Sequence, residues 1–142
     1  MIIWRLCRRP YADLSGEGAA RYGGRWNSPG HRIVYTASSA ALAVLEVRVH
    51  LDLPFDLLPD DYVLVAIDLG TLAVERVDVV PENPRAFGDN WIKQARTPVL
   101  QVPSVIVQET NFLLNPMHAA AGGAKIISIE PFTFDARLWA GA

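Results

Sequence analysis

Glu46 is the residue most out of place in this sequence. It stands in ALAVLEVRVH, flanked by Val44, Leu45, Val47 and Val49. A carboxylate among apolar side chains is costly to bury unless it is paired or hydrogen-bonded. Three readings are open. Glu46 faces a sliver of solvent, or it pairs with His50 one turn later, or a rigid element holds it at a cleft as a general base or cation stabiliser. Arg25 follows Gly23-Gly24 and precedes Trp26-Asn27. Paired glycines permit a tight turn that brings an anion close to the backbone, and a guanidinium adds a fork of donors. Most such loops only turn the chain, so the motif is weak by itself. Arg5 is a charge inside an apolar stretch, where alternation places Ile3 and Arg5 on one face and Trp4 and Leu6 on the other. It faces either a ligand or an exposed edge. Tyr35 reads as a core aromatic with its hydroxyl satisfied, or as a stacking or hydrogen-bonding platform for a heterocycle.

The remaining chemistry-bearing residues are less informative. Ser104, in Val102-Pro103-Ser104, has no histidine signature to mark it as a nucleophile and reads as a turn residue. His118, in Asn115-Pro116-Met117-His118, is a lone loop histidine, and His31, His50 and His118 show no metal-ligand spacing. Cys7 is the one cysteine, which excludes an intramolecular disulfide and a cysteine-based zinc site. There is no P-loop, and GEGAARYGG does not follow the dinucleotide fingerprint.

These residues need a frame. Residues 2–6 read as a first strand, and residues 15–30 as a loop with five glycines and one proline. Residues 33–36 form a short strand candidate. Ser38 or Ser39 then caps a helix over 40–50, apolar on nearly every face and so expected to be buried. Residues 62–69 and 73–80 read as strands, with a hairpin around Gly70-Thr71. A break at 81–84 precedes a short helix over 89–95. Residues 99–107 suggest an edge strand or a bend because of Pro103. Residues 111–123 read as a loop or helical turn, and 125–129 and 132–134 as the last strands. The order does not alternate regularly between strand and helix, which argues for an α+β class and against a doubly wound parallel sheet.

Composition sets the outer limits. A chain of 142 residues with 51% hydrophobic and 20% charged side chains can bury one core without disulfides or metal. That excludes a disordered regulator and a small disulfide scaffold. No apolar run approaches the ~18–20 residues that span a bilayer. The start, MIIWRLCRRP, reverses the order of a secretory signal, so the expected compartment is the cytoplasm. The net charge of −2 conceals an asymmetry: residues 1–32 balance at +4, all six bases being arginines, and residues 33–142 at −6. The arginines form a solvated basic edge or an anion site. The acidic remainder disfavours nucleic acid.

Taken together, these residues resemble the RES-domain family, the toxin half of a class of bacterial toxin–antitoxin pairs. The likeness runs nearly the whole chain, so residues 1–142 read as a single RES domain, and it is strongest over residues 15–50. The family is named for a spaced arginine, glutamate and serine, matched by Arg25 in GGRWN, Glu46 in LAVLE and Ser104 in VPS. Arg5 matches an arginine of the family's first strand, and Tyr35 a tyrosine shortly before the glutamate. NFLLNPMH, with Asn111, Asn115 and His118, looks like the family's later NxxxNPxH element.

The resemblance implies an α+β fold akin to ADP-ribosyltransferases and diphtheria-type toxins, with short β-sheets flanking an NAD cleft. It implies cleavage of the nicotinamide–ribose bond of NAD, here a substrate, with no metal. The ADP-ribose passes to water, to phosphate or to a protein, for which a phosphoribosyl-pyrophosphate synthetase is the target class. The implied partner is an antitoxin with a helix-turn-helix (Xre-like) part. On this resemblance Glu46, Arg25 and Ser104 form the catalytic set. Arg5 and Arg25 clamp the pyrophosphate, Tyr35 packs on nicotinamide or ribose, and Ser104 hydrogen-bonds the nicotinamide ribose or amide. The alternative is a non-catalytic anion- or partner-binding module of the same fold, which leaves Glu46 in its apolar helix unexplained.

Overall fold

Short runs of branched and aromatic side chains become strands here, and those inside the sheet are covered on both faces. The computed structural model describes residues 1–141. In chain order it contains β1 (Ile2–Arg8), α1 (Glu17–Tyr22), β2 (Val34–Ala37), α2 (Ala40–His50), β3 (Tyr62–Asp68), β4 (Val74–Arg76), α3 (Pro84–Gln94), β5 (Val99–Pro103), β6 (Thr110–Leu114) and β7 (Lys125–Pro131). The strands form one seven-stranded sheet in the order β4-β5-β6-β2-β1-β3-β7. Only β4 and β5 run parallel, and α3 supplies the crossover that a parallel pair requires.

One face of the sheet buries Ile3, Val34, Val65, Val99, Phe112 and Leu114. The other carries both long helices. Leu42 and Ala43 of α2 pack on Leu6 of β1 and Ala37 of β2. Trp91 of α3 packs on Leu100, Val102 and Leu113. Leu42 is fully buried, so truncation to alanine should cost about 2–5 kcal/mol. The sheet is weakly joined in its middle. β1 pairs with β3 along its full length, from Ile2 opposite Asp68 to Arg8 opposite Tyr62. It meets β2 at one register pair, Trp4 opposite Ala37. The strands diverge at this seam, and α2 straddles it.

Several sequence expectations are corrected. Residues 111–114 form β6, an interior strand: Phe112 and Leu114 bury on one face and Leu113 on the other, a run that the flanking asparagines disguise. β5 is also interior, because Pro103 stands at its last position, where a missing N–H costs the ladder little. The hairpin at Gly70-Thr71 does not form: β3 lies between β1 and β7, and β4 pairs with β5 at the far edge. The helix expected over 89–95 starts earlier, with Asn83 Oδ1 accepting from the Ala86 N–H and Pro84 in the first turn. The final strand ends at Pro131, and 132–134 lie outside it. The α2 boundaries stand as expected, with Ser39 Oγ as the cap accepting from the Leu42 N–H. The helix is not buried all round, since only Leu42 and Ala43 are; the rest of it edges a cleft or meets solvent. The glycine-rich stretch hides the short helix α1.

Candidate active site

The seam between β1 and β2 opens into a cleft of about 590 Å³, within the ~300–1,000 Å³ range typical of small-molecule sites. Trp4, Arg5, Arg25, Tyr35, Glu46 and Asn111 are among its walls. Four residues singled out from sequence, far apart in the chain, therefore meet in one cavity. The fifth, Ser104, stands between two further wall residues, Pro103 and Val105, and reaches Glu46.

The Arg25 loop is built from the inside outward. The chain leaves α1 at Gly23, whose φ of 74° lies in the left-handed region that glycine adopts freely. Asn27 is fully buried, and its Nδ2 donates to the carbonyls of Ala19 at 2.8 Å and His31 at 3.0 Å. Its Oδ1 accepts from the Tyr35 hydroxyl at 2.6 Å, and that hydroxyl accepts from the Trp26 N–H at 2.9 Å. A Cβ on Gly24 would stand 2.6 Å from the same hydroxyl, so only glycine fits there. Burial pushes the Tyr35 phenol up to about 12, which keeps it a neutral donor. The ring of Tyr35 lines the cleft while its hydroxyl is spent on the loop. Sequence reading missed Asn27, whose one signal was its place directly after the GGRW turn. With the loop fixed in this way, the Arg25 guanidinium stands exposed at the cleft, with no hydrogen bond or ion pair among the described residues.

On the same cleft, α2 presents Glu46. Its Oε1 accepts from Ser104 Oγ at 3.1 Å, and that oxygen in turn accepts from the Ile106 N–H at 3.1 Å. Glu46 Oε2 has no protein partner among the described residues. The expected Glu46–His50 pairing takes another form, since His50 Nδ1 lies 2.7 Å from the backbone carbonyl oxygen of Glu46 and not from the carboxylate. Arg5 Nη1 donates to the carbonyls of Tyr11 and Asp13, each at 2.9 Å. Its Nη2 and Nε have no protein acceptor among the described residues. Asn111 lines the cleft with Nδ2 bonded to the Thr36 carbonyl at 3.2 Å. Asn115 and His118 lie elsewhere, closing the turn after β6. Asn115 is buried and accepts from the Met117 N–H, and His118 Nδ1 accepts from the Ala120 N–H. Among the described residues no three His, Cys, Asp or Glu side chains gather as metal ligands.

The cavity thus gathers two guanidiniums, one wholly free, and a carboxylate oriented by a serine. That layout suits a phosphate-bearing guest in which positive charge develops near the carboxylate. The fold is shared with a chain of the Mycobacterium tuberculosis MbcT–MbcA toxin–antitoxin complex, with a TM-score of 0.70, 23% identity, and coverage of 93% of this chain and 84% of that one. The chain belongs to the RES family, whose domain description matches residues 2–135. Among its curated relatives is the toxin Res of Pseudomonas putida, 38% identical over 98% of this chain and all of the relative. Another, the Prs ADP-ribosylating toxin of Sphingobium sp., is 42% identical over 96% of this chain and 95% of its own length. The NAD(+) phosphorylase MbcT of M. tuberculosis is 38% identical over a shorter stretch, 55% of this chain and 48% of the relative.

Proposed function

We propose that this chain, acting as a single RES domain over residues 1–142, is the toxin of a toxin–antitoxin pair and cleaves the nicotinamide–ribose bond of NAD in the seam cleft. The observation that carries the reading is that the Ser104-bonded Glu46 and the free Arg25 guanidinium line one cavity of suitable size. In this reading the fold is of the ADP-ribosyltransferase type. The relatives named as an ADP-ribosylating toxin and an NAD(+) phosphorylase support NAD as substrate.

The residues divide the work. Arg25 and the unoccupied nitrogens of Arg5 grip the two phosphates. The nicotinamide–ribose C–N bond breaks with its electron pair leaving on nicotinamide, and the ribose C1′ becomes oxocarbenium-like. The Glu46 carboxylate stabilises that positive charge and orients the acceptor, which then bonds to C1′ and releases its proton. Ser104 fixes the Glu46 rotamer. Tyr35 contributes its ring to the wall and its hydroxyl to the loop. The acceptor is water, phosphate or a host protein such as a phosphoribosyl-pyrophosphate synthetase. In a host cell the cleft is silenced by a cognate antitoxin carrying a helix-turn-helix part, and the site of action is the cytoplasm.

The test is NAD consumption by the purified protein, with products resolved by mass in buffer, with added phosphate, and in a host lysate. Free ADP-ribose identifies water as acceptor, a phosphorylated ADP-ribose identifies phosphate, and a mass shift on one lysate protein identifies a transferase. No loss of NAD under any condition by a folded protein refutes the proposal and leaves a non-catalytic binding module.

A further inference from the structure

The Arg25 loop is held from a second side by residues that its own sequence neighbourhood does not reveal. Asp89, on α3, accepts from the Ser28 N–H at 2.8 Å through Oδ1 and from Ser28 Oγ at 2.6 Å through Oδ2. One turn earlier on the same helix, Arg85 Nε donates to the Gly24 carbonyl at 3.2 Å. Between them Gly88 is buried against the loop backbone: a Cβ there would lie 1.8 Å from the Trp26 carbonyl oxygen, closer than any contact a side chain tolerates. The Trp26 ring, 3% exposed, meets Phe87 edge to face with centroids 6.2 Å apart. Four residues within little more than one turn of α3, Arg85, Phe87, Gly88 and Asp89, thus clamp residues 24–28 on both sides of Arg25. Arg25 itself takes no part in the clamp, and its guanidinium stays at the cleft.

A loop meant only to turn the chain is already closed by Asn27 and Tyr35. The clamp adds a fixed distance between α3 and the arginine. We propose that Gly88 and Asp89 are positioning residues for the reaction, with α3 acting as a shoe that sets Arg25 at the height of the substrate phosphate. This rests on the NAD reading above. The charge of Asp89 is not what matters in this arrangement. What matters is an acceptor for the Ser28 N–H and a partner for its hydroxyl, two roles that an amide also fills, with its oxygen accepting from N–H and its nitrogen donating to Oγ.

The inference predicts an ordered set of variants. Asp89→Ala and Gly88→Ala should lower kcat/KM for NAD by about 100-fold, the order expected when a binding group shifts by about 1 Å, with most of the loss in KM. Asp89→Asn should stay within about threefold of the wild type. Thr97→Val removes the Trp91 indole bond at the other end of α3 (3.0 Å) and serves as the structural control. It should lower stability and leave KM unchanged. Amide hydrogen exchange read by mass spectrometry over residues 24–28 should speed up in Asp89→Ala and Gly88→Ala, but not in Asp89→Asn or Thr97→Val. This second readout needs no turnover, so a wild-type protein that leaves NAD intact sinks the functional proposal while the clamp is still tested. Folded Asp89→Ala and Gly88→Ala proteins with wild-type KM, or an Asp89→Asn protein as impaired as Asp89→Ala, overturn the positioning role.

Discussion

Replacing Tyr35 by phenylalanine should remove a hydroxyl that does two jobs, and its cost can be worked from the geometry. The Trp26 N–H loses its acceptor at 2.9 Å, and Asn27 Oδ1 loses its donor at 2.6 Å. Both groups lie in buried residues. Leaving a buried donor and acceptor unmet costs on the order of 1–3 kcal/mol each, so Tyr35→Phe should lose about 3 kcal/mol at pH 8. The same hydroxyl gives a second, independent reading. Burial pushes its ionisation up to about 12, whereas an unfolded tyrosine ionises near 10. The stability it contributes is therefore complete below pH ~10 and lost as pH rises towards 12, because the unfolded chain releases the proton first. At pH 11 the wild type should have given up about 1.4 kcal/mol of Tyr35's share. Phenylalanine has no proton to release, so the gap between the two proteins should narrow from about 3 to about 1.6 kcal/mol. Urea unfolding of both proteins followed by tryptophan fluorescence, at pH 8 and in steps to pH 11, measures it. Taking the difference cancels the other groups that titrate there, among them Cys7 and Tyr62, both raised chiefly by burial. Equal stability of the two proteins at pH 8, or a gap that stays constant to pH 11, would refute the buried-hydroxyl account of the loop.

Glu46→Gln keeps the side-chain shape and the contact with Ser104, so NAD affinity by calorimetry should stay within a few-fold while turnover falls by at least about 100-fold; near-normal turnover removes Glu46 from the chemistry. Ser104→Ala frees the carboxylate from its 3.1 Å partner, and kcat should fall by about tenfold with little change in KM. Arg25→Ala should weaken NAD binding by about 10- to 100-fold, the worth of charge-assisted hydrogen bonds. Thermal unfolding of that variant should match the wild type, since the guanidinium makes no bond to the described protein.

Legibility from sequence followed the range of the interaction responsible. α2 and its Ser39 cap were readable because a cap and its helix are neighbours in the chain. β1 and β3 announced themselves by branched side chains. β6 did not, because what makes residues 111–114 a strand is cover on two faces from distant elements, while Asn111, Asn115 and Pro116 around it carry the vocabulary of a loop. Asn83-Pro84 read as a break, yet the same pair makes a good helix start once a helix follows. At the site, Glu46 stood out because its type conflicts with its neighbours. Arg25 gained meaning only from its combination with the other family positions. The roles of Ser104 and Tyr35 were hidden, since each is defined by one partner whose approach depends on the tertiary fold. Asp89 left no sequence trace at all, its contact with Ser28 spanning 61 residues.

The thin join between β1 and β2 gives the cleft a mechanical meaning. The molecule resembles a book of two leaves, stitched at Trp4 and Ala37 and spanned by one helix across the spine. Arg5 belongs to one leaf, and the Arg25 loop leans on the other through Tyr35 and α3. A guest held by both arginines is therefore a second stitch, placed where the backbone supplies fewest of its own. Occupancy and cohesion become the same quantity, and filling the cleft should raise the temperature at which the leaves part more than binding on either leaf alone.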